Sequence, residues 1–428
     1  MNAKKFTREE KSWIMYDWAN SVFATIMMAA LFPIYFTGVA GDSGDIWWGY
    51  GSSAATLVMA VLAPIVGALG DRKENKKKVF MVFWILGMLG TALCAAVTDW
   101  RLLLLSYVIG AIGFSGSCLS YDSFLTDVTT PERMDRVSAW GYSMGYIGGS
   151  TIPFLVAIAL VMLHDKIGIS NATAIRISVV ITVVWWGVFA IPFLRNVKQK
   201  YYSEGSEKGI VKETFQNVAH TAKAIWQDKR LRFFVISYFF YIDGVGTIIK
   251  MSTAYGSSLG LGSTGMVLAL LVTQIVAVPF AIWFSKLGEK IGGIKVILMG
   301  IAVYTLVCVL GFIMGFGMEE SFLTNGQALT IFWILAVLVG TSQGGIQAMS
   351  RSYYGKMIPK EKSNEYFGFF EIFGKFASVM GPLLYSVISS ITGRSSYAIL
   401  SIILLFLIGG GILLIGRKEI EKKDKCNL

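Results

Sequence analysis

Two acids and two lysines stand inside stretches that otherwise read as hydrocarbon. Asp243 and Lys250 lie in "YFFYIDGVGTIIKMSTAYG" (238–256), Glu371 and Lys375 in "EIFGKF" (371–376). A charge placed in a bilayer costs several kcal/mol, so it is tolerated where it meets a partner, a polar cavity or water. Asp243 and Lys250 are two helical turns apart, on one face but separated by a rise of about 10 Å, too far for a direct pair. Glu371 and Lys375 stand at i, i+4 in the favourable acid-before-base order. Two uncharged or mixed pairs accompany them: Asp17 with Asn20 in "YDWANS", and Gln343 with Gln347 in "TSQGGIQAMSR". These are the groups needed to carry a polar solute and a proton. Asp243 and Glu371 are candidate titrating carboxylates, and Lys250 or Lys375 a candidate partner for a substrate carboxylate. The plainer readings are an internal structural pair for Glu371–Lys375 and an interfacial position for Asp17.

The elements that must position these residues are apolar segments. Of 428 residues 54% are hydrophobic and only 15% charged, against roughly a quarter charged in soluble domains. Uncharged runs such as 18–41, 46–70, 79–98, 137–163 and 296–318 are each about long enough to cross a ~30 Å hydrocarbon core as a helix. The expectation is an all-α polytopic membrane protein with twelve spans: 13–39, 46–69, 79–98, 102–122, 137–163, 174–194, 231–255, 264–285, 295–316, 328–350, 365–391 and 396–415. The halves are 1–194 and 231–415, joined by a cytoplasmic linker, 195–230, and followed by a tail, 416–428. The linker centre, "KQKYYSEGSEKG", reads as polar and unpacked. Weak repeats in matching order support two six-helix halves: Asp17 matches Asp243 and Pro153 matches Pro382, at offsets of 226 and 229.

A net charge of +11 suggests a nucleic-acid partner only until it is mapped. Of 38 Lys and Arg, all but six fall at the termini and in alternate loops. The exceptions are Arg101, Lys166, Arg176 and Arg394 in the other loops, and Lys250 and Lys375 inside spans. That asymmetry is the positive-inside rule; it places both termini in the cytoplasm and needs no DNA or RNA. The first apolar run is too long for a signal-peptide core and is expected to be retained. Cys94, Cys118, Cys308 and Cys426 show no metal or redox spacing. No cofactor is called for, and the expected partners are the lipid bilayer, a small solute and a coupling proton, with the chain acting as a monomer.

"GALGDRKENKKK" (67–78) carries the most specific pattern. Gly67 would let helices approach closely, Asp71 would accept hydrogen bonds or meet a neighbouring helix N-terminus, and Arg72 and Lys73 would anchor the turn. We assign this segment to gating, together with Asp122 and Asp127, which are expected to meet Arg133 or Arg136. "GYSMG" (141–145) fits a nucleophile-elbow spacing but lies in a helix, without the strand–turn–helix that such a site needs. Gly141, Gly145 and Gly149 read instead as a packing stripe.

The stretches "YDWANSVFAT" (16–25), "YDSFLTDVTTPERMDRVS" (121–138), "YIDGVGTII" (241–249), "GGIQAMSRS" (344–352) and "EIFGKFASVMGPL" (371–383) together resemble the vacuole-effluxer-like branch of the major facilitators, the autophagy-linked amino-acid exporters and their bacterial relatives. The resemblance spans the chain. It implies the major facilitator fold, secondary transport by alternating access and export of amino acids. Without the long insertions of fungal members, the cell membrane is the expected location. The competing expectations are a polyspecific drug or cation antiporter and, in another class, a non-transporting membrane sensor. No catalytic set marks an enzyme.

Overall fold

The computed structural model describes residues 5–204 and 210–421. Cys426, residues 205–209 of the linker centre and most of the tail expected beyond 416 lie outside them. Among the described residues twelve helices are long and apolar enough to cross a membrane, and there is no strand beyond one isolated bridge between Arg72 and Ser203. In hydrocarbon a helix satisfies every backbone group internally, which is why apolar runs of this length fold this way. The first six are α1 (Arg8–Ala40), α2 (Gly44–Gly70), α3 (Asn75–Ala96), α4 (Trp100–Val128), α5 (Pro131–Met162) and α6 (Asn171–Asn196). A linker helix, α7 (Ile210–Gln227), follows. Then come α8 (Lys229–Ser258), α9 (Ser263–Ile291), α10 (Gly293–Glu319), α11 (Asn325–Met357), α12 (Ser363–Thr392) and α13 (Ser395–Ile420).

The chain groups into two compact units. The first is Met1–Ala219 with Ile358–Ile372, the second His220–Met357 with Phe373–Leu428. The first turns of α12 thus belong with the first unit, and the boundary between the units also falls inside α7.

Unit 1 is organised by aromatic side chains of α1. Trp13 stacks on Tyr121 at 4.5 Å, and Tyr16 packs edge-on against Phe80 at 5.0 Å. Their polar ends are satisfied: Trp13 Nε1 donates to the Tyr121 carbonyl at 2.8 Å, and Tyr16 Oη to Ser117 Oγ at 3.0 Å. A buried Trp or Tyr needs such a partner, so these bonds fix rotation and depth as well as contact. Unit 2 uses the same device. Tyr241 Oη shares a hydrogen bond with Ser350 Oγ at 2.6 Å, and Ser237 Oγ and Tyr255 Oη donate to the carbonyls of Gly409 and Gly311, each at 2.7 Å. The outside is apolar, with Val61, Val82 and Leu89 more than half exposed, as lipid-facing surfaces require.

The expected span 137–163 is not one regular helix. It begins at Pro131 and opens into a wider π-type stretch over Gly145–Thr151 before continuing at Ile152; α1 does the same at Phe23–Ala29. A proline follows each stretch, Pro153 and Pro33. Its ring removes one backbone donor and crowds the preceding turn, which the wider turn relieves. Gly145 and Gly149 face Ser21 of α1, where an added Cβ would overlap, so that part of the small-residue stripe packs as expected.

Candidate functional site

The gating segment forms a latch inside unit 1. Asp71, at the end of α2, is 2% exposed. Its Oδ1 accepts from the backbone amide of Asn364 and its Oδ2 from that of Glu365, both at 2.8 Å. These are free amides of the first turn of α12, where the helix dipole favours an anion. The expectation of a carboxylate at a helix N-terminus therefore holds, and α12 is the helix. A Cβ on Gly67 would sit 2.6 Å from the Asn364 carbonyl oxygen; glycine is what lets the backbones meet here. The Asn364 side chain donates to the Gly67 carbonyl at 3.0 Å and accepts from Ser123 Oγ at 2.7 Å. Burial pushes the Asp71 carboxyl up to about 8, so Lys76 and the two amides only partly offset the cost of ionising it.

Five residues further on stands a group that the sequence did not single out. Lys76 is fully buried, with Nζ 2.8 Å from Asp127 Oδ2 and 2.7 Å from Ser363 Oγ. Within its basic run it looked like one more interfacial cation. Asp127 accordingly does not meet Arg133 or Arg136. Arg133 pairs with Glu10 at 2.7 Å, and the Arg136 guanidinium lies over the Phe6 ring at 4.5 Å. Glu10 closes the N-terminal capping box of α1 and also accepts from Thr129 at 2.7 Å, which holds it for Arg133.

The other oxygen of Asp127 binds the linker. Its Oδ1 accepts from the amides of Lys200 and Tyr201 at 2.7 and 3.0 Å. Gln199 donates to the Gly70 and Tyr201 carbonyls and accepts from the Lys76 amide, and the Ser203 amide donates to the Asp71 carbonyl at 2.8 Å. Lys360 lies over the Tyr201 ring at 4.9 Å. The described part of the linker centre, 198–204, is thus packed, and its polarity does not mean that it is loose. Residues 197–204 form a strap, and the amides of Lys200, Tyr201 and Ser203 donate to the latch. A polar recess of about 330 Å³, lined by Asp71, Arg72, Ser203, Glu204, Glu361 and Glu365 among others, opens beside it. Gln199→Ala removes three of these bonds from partly buried groups. We expect a loss of about 1–3 kcal/mol, seen as a lower unfolding midpoint in detergent; an unchanged midpoint would mean the strap adds nothing.

The embedded polar residues fall in both units. In unit 1, Asp17 and Asn20 of α1 are buried, and Asn20 Nδ2 reaches Cys118 Sγ at 3.7 Å. Asp122 and Glu371 also belong to this unit and are part-buried. In unit 2, Asp243 is completely buried on α8. Thr247 Oγ1 lies 3.4 Å from its Oδ1, and its Oδ2 has no hydrogen-bond partner among the described residues. Gly381 of α12 makes room for this pair; an added Cβ would overlap the Thr247 hydroxyl and lie 3.0 Å from Asp243 Oδ1. Lys250, two turns along, is exposed, and the charges acting on it are those of Asp243 and Lys375. Gln343 is buried and Gln347 half-buried on α11. Gln343 lines a small cavity of about 80 Å³ with Ile248, Tyr255, Thr273, Gln274 and Phe332.

Among the described residues no group of three or more His, Cys, Asp or Glu could hold a metal. Twelve long apolar helices among the described residues, a carboxylate capping a helix at the 2–3 turn and charges buried within the spans together define a class, the major facilitator transporters. The solved structures agree on the fold. A bacterial homologue of the iron transporter ferroportin, in an outward-facing state, matches with a TM-score of 0.71 over 96% of this chain and 98% of its own, at 12% identity. The major facilitator transporter FucP, in the outward conformation, matches with a TM-score of 0.68 over 97% and 98%, at 13% identity. More narrowly, the profile of the family described as "Vacuole effluxer Atg22 like" matches residues 47–133 and 126–425, and the chain belongs to that family. It is 46% identical over 416 residues to the uncharacterized MFS-type transporter YxiO of Bacillus subtilis (strain 168), covering 95% of this chain and 94% of that one. It is an integral membrane protein with the fold of a transporter.

Proposed function

We propose that the chain is a proton-coupled secondary transporter of small solutes bearing a carboxylate, with amino acids the leading class, working by alternating access in the cell membrane with both termini in the cytoplasm. One observation carries the reading: Asp243 is buried with one carboxylate oxygen lacking a partner among the described residues. An intramembrane carboxylate left in that condition gains from binding a proton or a cation. Lys250 and Lys375 supply positive charge in the same unit for the carboxylate of a substrate, and Glu371 precedes Lys375 by one turn. Asp17, Asn20, Gln343 and Gln347 complete the candidate pathway.

The latch is the candidate gate. Parting it would return Asp71 to water, where its carboxyl would ionise near its ordinary value of 3.8 rather than about 8. Parting therefore releases a proton between those values and becomes steadily more favourable as pH rises from 3.8 to about 8, levelling off above.

The substrate class is tested by counterflow in proteoliposomes loaded in turn with pooled amino acids, sugars or cationic drugs. Accumulation of labelled amino acids alone is the expected outcome. Accumulation of cationic drugs alone would replace this reading with the antiporter.

A further inference from the structure

The linker helix α7 has three faces. At 100° per residue, Thr214, Thr221 and Ile225 share one face and are buried, at 3%, 1% and 4% exposure. About a third of a turn away, Phe215, Ala219, Ala222 and Trp226 fall within about 60° of arc, and all four are exposed, Phe215 by 56% and Trp226 by 61%. Next round the helix come Gln216, His220, Lys223 and Gln227, also exposed. A helix lying in water would have no use for an apolar stripe beside its packed face.

Trp226 is three residues before Lys229, where α8 begins, so at most about 11 Å of chain separates it from the entry into the bilayer. The Arg232 guanidinium lies 6.0 Å from the Trp226 ring and donates to its carbonyl, and Lys223 and Lys229 are exposed nearby. Asp228, the one acid of this junction, is engaged by Arg230 and by the first amides of α8.

From this placement we infer that α7 is a membrane-surface helix, with Phe215 and Trp226 seated at the headgroup–acyl boundary and Lys223, Lys229 and Arg232 on anionic lipid headgroups. Tryptophan is favoured at that depth, and a helix with one apolar and one basic edge lies in the interface plane.

The test uses the full-length protein in nanodiscs, with a nitroxide placed in turn at Phe215→Cys, Trp226→Cys and His220→Cys in a background lacking Cys118 and Cys426. Collision with oxygen and with a water-soluble nickel chelate is measured in phosphatidylcholine and in phosphatidylcholine with phosphatidylglycerol. Labels at 215 and 226 should collide more with oxygen than with nickel, the label at 220 the reverse, and the contrast should deepen with phosphatidylglycerol. Nickel-dominated collision at 215 and 226 would overturn the proposal. So would shielding from both reagents, which would mean a protein partner. An equal contrast in both lipids would remove the anionic headgroups from it. Labels at 215 and 226 occupy exposed sites, so a misfolded variant would be recognised by loss of monodispersity before labelling.

Discussion

Asp127→Ala is expected to lower the stability of the folded protein by about 3–5 kcal/mol, the cost of stranding a buried charge. The substitution leaves the Lys76 ammonium, wholly buried, with Ser363 as its remaining hydrogen-bond partner and takes the acceptor from the amides of Lys200 and Tyr201. The exposed i, i+4 pair Arg417–Glu421 is the internal control. Arg417→Ala should cost no more than about 0.5 kcal/mol. Because a buried pair replaced by apolar groups is often neutral or better, Lys76→Met with Asp127→Leu should recover much of what Asp127→Ala loses. Unfolding midpoints in one detergent would show the order. If Asp127→Ala and Arg417→Ala fall together, the latch pair contributes no more than a surface contact. The double variant should also loosen the strap, so its recovery in stability need not restore transport.

The second large effect is functional. Asp243→Asn should abolish proton-driven accumulation of solute while exchange between equal pools continues. Asparagine keeps the size of the side chain and an acceptor for Thr247, and it removes the carboxyl of this stretch of α8. The protein should therefore insert and fold normally. A second variant separates this role from packing. Gly381→Ala would push a Cβ into the Thr247 hydroxyl and toward Asp243, so it should slow exchange as well as accumulation. A carboxylate with only a structural role would make both variants behave alike.

Much of the architecture could be read from the residues, because hydropathy over 20 or so positions reports directly on the bilayer. The twelve spans and the helix breaks at charge clusters follow from local rules, and the close approach at Gly67 and the accepting carboxyl of Asp71 were legible from residue type. What escaped was decided by tertiary partners. Nothing in "KENKKK" distinguishes Lys76 from its neighbours, yet it alone reaches a buried carboxylate 51 positions away. The strap was missed for the converse reason. Its polarity was read as solvation, when its amides and Gln199 serve backbone and carboxylate groups that the latch leaves open. The wide turns before Pro33 and Pro153 were visible in principle, since each proline stands inside an apolar run. Asp243 and Lys250 share a face by spacing, as read, but one is buried and the other exposed; a helix face two turns long need not have one environment.

The central claim is that solute movement carries a proton through Asp243. Its most direct test is the lumenal pH of proteoliposomes holding the purified protein, recorded as amino acids are added outside, for the wild type and for Asp243→Asn. The account predicts a pH change in the wild type that is absent from the variant, with labelled solute exchange present in both. A pH change of equal size in Asp243→Asn would contradict it.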